Sequence, residues 1–127
     1  MQEIAVEMLR DHEMNDLFFD PISGEKWENF LESVKTSGII EPLIVTQDNV
    51  IVSGHQRKRA CLELGINTVK CDVREYFDHD GLSRDEWIIK DLIETNVRQR
   101  GDVGGNELKV IRRVDALCDI YRISRSA

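Results

Sequence analysis

Apolar and polar positions change period several times along the 127 residues, and each change predicts an element. Residues 3–9, EIAVEML, alternate poorly but are apolar enough to predict a first strand, and NDLFFDPISG reads as a loop with aromatic anchors. In EKWENFLESVKTSG the period lengthens. Trp27, Phe30, Leu31 and Val34 recur at helical spacing, and Gly38 stands where a left-handed residue stops a helix. Two short apolar runs, 42–46 and 49–53, are joined by Gln47 and Asp48, which predicts a tight hairpin without a glycine. HQRKRACLEL predicts a helix ending at Gly65 with Ala60, Cys61 and Leu64 on its packing face, and NTVKCDVREY returns as a strand. Ser83 and Glu86 form a capping box for a helix through DEWIIKDLIETN. After the polar, Gly-rich break RQRGDVGGN, a last helix covers ELKVIRRVDALCDIY. Helices interleaved with short strands argue for an α/β fold of the mixed α+β kind: a small mixed sheet, flanking helices and a C-terminal helical arm.

Charge changes the picture next. With 17 Lys and Arg against 24 Asp and Glu the formal net charge is -7, so bulk attraction does not bring this chain to nucleic acid. Any anion it binds must be held locally. No apolar run approaches the roughly 20 residues that span a bilayer. The N-terminus MQEIAVEMLRDHE carries acids where a signal peptide carries a basic flank, so a cytoplasmic protein without a membrane partner is expected. Cys61, Cys71 and Cys118 are odd in number and lack CxxC or Cys/His spacing, which predicts small buried or half-buried thiols. His12 and His79 fall in loops with no sequence partner.

Two stretches carry candidate chemistry. In VSGHQRKRACLELG, Ser53 and Gly54 precede a helix whose first amides and dipole would favour an anion, and Gly54 would let a ligand approach the backbone. Arg57, expected to face solvent in the first turn, offers phosphate a planar, multi-donor fork. The same basic residues also read as a solvated helix start. In IETNVRQRG, Glu94 suits an outer ligand of a phosphate-bound Mg2+, Asn96 a group that orients phosphate or water, and Arg98 and Arg100 charge neutralisation. The other reading is a polar helix end whose arginines meet the dipole.

Taken in order, FLESVKTSGIIEPLIV, VIVSGHQRKRACLELG and LIETNVRQRG resemble the N-terminal domain of the ParB family of partition proteins and their mobile-element relatives, over roughly residues 3–100. The Gly-x-x-Arg-x-x-Ala pattern, met by Gly54, Arg57 and Ala60, is the strongest element. The resemblance implies a ParB/sulfiredoxin-like nucleotide-binding domain at 1–100, then a hinge and helix at 101–127 that lead to a DNA-binding region beyond this chain. It implies CTP, or another NTP, with Mg2+. The base would lie by Ser37, Gly38, Ile39, Ile40 and Pro42, and the triphosphate on Ser53, Gly54, His55, Gln56, Arg57 and Arg59, aided by Arg98 and Arg100. Glu94 or Asn96 would contact the metal or the hydrolytic water of a slow NTPase. Binding would make two copies engage as a clamp on DNA, in a nucleoid-associated protein. Two departures stand out: Gln56 replaces the first of two arginines usual in partition proteins, and Thr95 separates the acid from the amide.

Other classes make different demands. Sulfiredoxin, an ATP-using repair enzyme of the same fold family, places its nucleophilic cysteine directly after the motif glycine, where this chain has His55. A ParB-like nuclease needs clustered acids or a paired base, and His55 alone does not supply them. A DNA-regulatory interaction module that has lost nucleotide binding is favoured by Gln56 and opposed by Gly54 and Arg57. Around the last helix, Gly101, Gly104 and Gly105 read as a hinge, and Leu108, Val110, Ile111, Val114, Leu117, Cys118 and Ile120 make more than one side apolar. Either a second copy covers the surplus face or the helix completes the core.

Overall fold

The structure, a computed structural model, describes the backbone of residues 1–39, 41–100 and 107–126. Ile40, the expected hinge glycines 101, 104 and 105, and the side chains of Arg98 and Arg100 lie outside the described residues. The chain forms two compact units: Met1–His12 with Pro21–Arg74, and Glu13–Asp20 with Glu75–Ala127. This geometric division is drawn elsewhere than the functional boundary expected at residue 100.

The first unit carries the sheet. Strands β1 (Gln2–Ala5), β2 (Leu43–Thr46), β3 (Ile51–Ser53) and β4 (Thr68–Arg74) lie in the order β1-β4-β2-β3. β1 with β4 and β2 with β3 are antiparallel, whereas β2 and β4 are parallel, so the sheet is mixed as expected. The first strand is shorter than 3–9: it stops at Ala5 and a 3-10 turn, Val6–Met8, follows. The turn explains the poor alternation. Val6 and Leu9 are three apart, which a strand would put on opposite faces, but the turn sends both into the core at 2% and 3% exposure.

The hairpin is present, and its missing glycine is replaced by Asn49 at φ 64. Asparagine tolerates that conformation, and Thr46 Oγ1 accepts from the amides of Asp48 and Val50 to hold the turn. β2 and β3 are buried throughout, while in β4 only Val69 and Cys71 are fully buried. Val6, Leu9, Leu43, Val45, Ile51, Cys61, Val69 and Cys71 form one apolar cluster.

Two helices complete this unit. In α2 (Gly24–Ser37) Trp27 and Val34 are buried, and with Ala60 they form a second cluster. Gly38 does stop α2, yet its φ of 74 is combined with ψ of -171, so it is not the left-handed cap expected. That combination of angles is open to glycine alone. The helix α3 (His55–Leu64) runs as predicted to a left-handed Gly65, with Ala60 and Cys61 buried and Leu64 half-buried.

The second unit is helical. Its parts are α1 (Asn15–Phe18), α4 (Arg84–Arg100) and α5 (Glu107–Ser126). The capping box is reciprocal: Glu86 N–H donates to Ser83 Oγ at 3.1 Å, and Ser83 N–H to Glu86 Oε1 at 2.9 Å. Phe18 and Phe19 anchor the expected loop, part of which is α1, at 3% and 1% exposure.

Candidate functional site

The turn between β3 and α3 is built around Gly54. Its φ is 113, and a Cβ added there would stand 2.5 Å from Leu43 Cγ, a side chain with no exposure to yield into. No other residue fits. As the N-cap of α3 it makes no side-chain cap hydrogen bond, and no acid occupies the first turn. A helix start so left open suits an anion, because the peptide dipoles and first amides converge there.

The polar side chains that follow reach three neighbouring loops. His55 is buried, and its Nε2 accepts the His12 amide at 3.0 Å. Gln56 Oε1 accepts the Ile22 amide at 3.1 Å while Arg59 Nη1 donates to the Ile22 carbonyl at 2.8 Å, so the two grip one residue by both of its backbone polar groups. Arg59 also lies over the Trp27 ring, 3.7 Å from its centroid. Lys58 pairs with Asp11 at 3.0 Å.

Arg57 corrects the expectation of a solvent-facing arginine. It is half-buried, and its Nη1 donates to the carbonyls of Glu41 at 3.0 Å and Pro42 at 2.8 Å, with Nη2 near Ser53 Oγ at 3.4 Å. Burial pulls its pKa below the usual arginine value, and the charge of Glu41 partly offsets this. The physical reason is backbone demand: the carbonyls before β2 need donors, and a guanidinium one turn into α3 can reach two at once. Ser53, Gly54, Arg57 and Pro42 are thereby brought together. Arg59, expected on phosphate, is instead occupied with Ile22 and Trp27. Ser37 ends α2, and Ile39 packs partly buried against both apolar clusters of this unit.

Glu94 and Asn96 belong to the second unit. Glu94 Oε2 accepts from Lys90 Nζ at 3.0 Å, and Oε1 accepts the hydroxyl of Tyr121 on α5. This clasp raises the Tyr121 pKa, chiefly through the hydrogen bond. For Lys90, burial acts downward but the bond and charge of Glu94 outweigh it, so its pKa also rises. Asn96 is buried and donates Nδ2–H to the Leu92 carbonyl at 2.6 Å, and Thr95 Oγ1 donates to the Asp91 carbonyl at 2.6 Å. Both short polar side chains bond the preceding turn of their own helix.

A phosphate fits the first unit, where a space forbidden to Cβ adjoins an uncapped helix. A protein-held metal fits less well: among the described residues no group of three His, Cys, Asp or Glu is placed to hold one. Mg2+ would then ride mainly on phosphate oxygens, as that ion commonly does. Cys118 is exposed, which corrects the expectation of a buried or half-buried thiol there, and the other two thiols are unsuited to nucleophilic repair. Cys61 and Cys71 are fully buried, burial raises the Cys61 pKa, and that of Cys71 is pushed up to about 11 by burial and then by Glu3 and Cys61.

Sequence reasoning missed the partners at Asp11, His12, Ile22, Glu41 and Tyr121. Lys90 and Glu94 are legible as an i,i+4 pair, but a ring of backbone carbonyls leaves no residue signature.

Comparison with known proteins gives the family and the fold. The sequence matches the ParB N-terminal domain over residues 1–86 of 127, and the chain belongs to that family. No curated protein matches it. Among solved structures it is similar to a pNOB8-like ParB N-domain, at 18% identity and TM-score 0.70, over 94% of this chain and 46% of that one. It is also similar to the C-terminally truncated chromosome-partitioning protein ParB from Caulobacter crescentus complexed with CTP-gamma-S. There the identity is 26% and the TM-score 0.62, over 76% of this chain and 52% of that one. The chain thus spans about half the length of these solved relatives. Among the described residues no helix is long and apolar enough to cross a membrane.

Proposed function

We propose that residues 1–100 form a nucleotide-binding switch, with CTP and Mg2+ as the preferred ligand, in a partition or mobile-element regulatory protein. The observation that carries this reading is the β3–α3 turn: Gly54 is compelled by φ 113 and by Leu43, and it opens an uncapped helix with Arg57 one turn in. The similarity to a ParB complexed with CTP-gamma-S supports cytidine as the base. Ser53, Gly54, His55, Gln56 and Arg57 would form the phosphate end, with the amides and Arg57 as donors. Ser37, Gly38, Ile39, Ile40 and Pro42 would form the base end. Glu94 and Asn96 are proposed for the metal and for slow hydrolysis, which requires them to leave their present partners.

Residues 101–127 would relay the nucleotide state. The described part of α5 exposes Leu108, Ile111, Val114 and Tyr121 by 54%, 50%, 54% and 42%. This apolar stripe supports pairing with a second copy once nucleotide is bound, around DNA held by a region beyond this chain.

Calorimetric titration with CTP, ATP, GTP and UTP in the presence of Mg2+ tests the proposal. CTP should bind at least about tenfold more tightly than the others, a difference of about 1.4 kcal/mol. Absence of binding by all four nucleotides removes the reading. Sedimentation with and without CTP then tests pairing, for which an unchanged monomer at saturating ligand is the adverse result.

A further inference from the structure

We infer that Arg57 is a specificity-determining positioning residue, a brace that transmits the placement of the triphosphate to the segment that reads the base. The inference rests on the proposed nucleotide site and assigns Arg57 a second task beyond contact with phosphate. Its Nη1 reaches two consecutive carbonyls, Glu41 at 3.0 Å and Pro42 at 2.8 Å, and its Nη2 lies 3.4 Å from Ser53 Oγ. One planar group therefore touches the segment that enters β2 and the residue that precedes Gly54. These are the two ends of the proposed site.

Glu41 and Pro42 are anchored where they enter β2. Pro42 has a fixed φ and no amide, and Leu43 directly after it is fully buried. A small rotation of the guanidinium toward an anion must either carry the Glu41 and Pro42 carbonyls with it or break two bonds. Lysine keeps the charge but is a point donor on a flexible stem, so it cannot hold two carbonyls in one plane.

The test compares cytidine triphosphate, uridine triphosphate and inorganic tripolyphosphate on the wild-type chain and on Arg57→Lys. Tripolyphosphate has no base and reports the phosphate end alone. The expected result is a loss of about tenfold in the preference for cytidine over uridine triphosphate, larger than the loss for tripolyphosphate. Equal weakening of all three ligands with an unchanged preference overturns the brace and leaves a simple phosphate contact. Wild-type binding without base preference also overturns it, but leaves the switch reading standing. Failure to bind any of the three removes that reading itself.

Should Arg57→Lys fail to fold, hydrogen exchange on the wild-type chain decides. Tripolyphosphate alone should slow exchange at the amides of Glu41 and Leu43 by about threefold or more, as expected for a braced segment. Unchanged exchange there, with tripolyphosphate bound, overturns the inference.

Discussion

The start of α3 and the α4–α5 pair both spend cationic side chains on backbone carbonyls and carboxylates, but to opposite ends. At α3 every residue from His55 to Arg59 is tied to a neighbouring loop, so the position around Gly54 is fixed from several directions. In the second unit α5 is secured by its basic side. Arg113 is 6% exposed, donates to the Phe18 carbonyl at 2.6 Å and lies 5.1 Å from the Phe19 ring centroid. Lys109 donates to the Phe19 carbonyl at 3.0 Å and pairs with Asp20 at 2.7 Å. The helix thus buries an arginine and leaves isoleucine and valine outside. A few polar bonds can be exchanged for others at little net cost, whereas a close-packed glycine cannot move. The first region is held around a glycine that cannot be replaced, and the second by polar bonds that can be exchanged.

The largest expected effect comes from filling the glycine space. Gly54→Ala should cost about 3 kcal/mol in urea unfolding, from overpacking against Leu43 and an unfavourable left-handed backbone. A loss below about 1 kcal/mol would mean that the turn relaxes freely, and the contrast with α5 would fail.

Next is Arg113→Met, which removes a buried donor from a carbonyl while keeping most of the volume. A loss of about 2 kcal/mol is expected, with faster hydrogen exchange along α5 before any change in the sheet. If α5 and the sheet open together, the two units are not separable in stability.

A smaller effect is expected at the Glu94 clasp. The folded Tyr121 pKa lies above its free value near 10, so the clasp contributes fully below that value and is lost as pH rises through the folded one. Lys90 has the same sign. Tyr121→Phe should therefore remove a late, alkaline component of the tyrosinate absorbance titration and loosen α5 by no more than about 1 kcal/mol at neutral pH. An unchanged alkaline titration would show that the hydroxyl is not held.

The smallest effect is Lys58→Ala, because its partner Asp11 is 63% exposed. A change within about 0.5 kcal/mol is expected. A loss as large as that of Arg113→Met would place the anchoring of α3 in charge pairs and not in backbone contacts.

Much of the fold was legible in residue order. Periodicity showed α2, α3, α4 and α5, the Ser83–Glu86 box announced its own hydrogen bonds, and Gly38 and Gly65 marked real helix ends. These features act over three or four residues, within reach of a local pattern. The glycine of the candidate site was legible too, since the strand-to-helix change around Ser53 and Gly54 demands a special backbone. The 3-10 turn in EIAVEML was not, because a 3-10 turn and a poor strand share one pattern of apolar residues. Nor could the sequence tell that Arg57 would brace Glu41 and Pro42, that Arg59 and Gln56 would grip Ile22, or that Arg113 would be buried while Ile111 and Val114 were not. Those outcomes depend on carbonyls, which every residue carries alike, and on which of them the packed chain leaves without a donor. Local order determined the elements and the glycine turn before α3, and only the tertiary structure decided which cation serves which carbonyl.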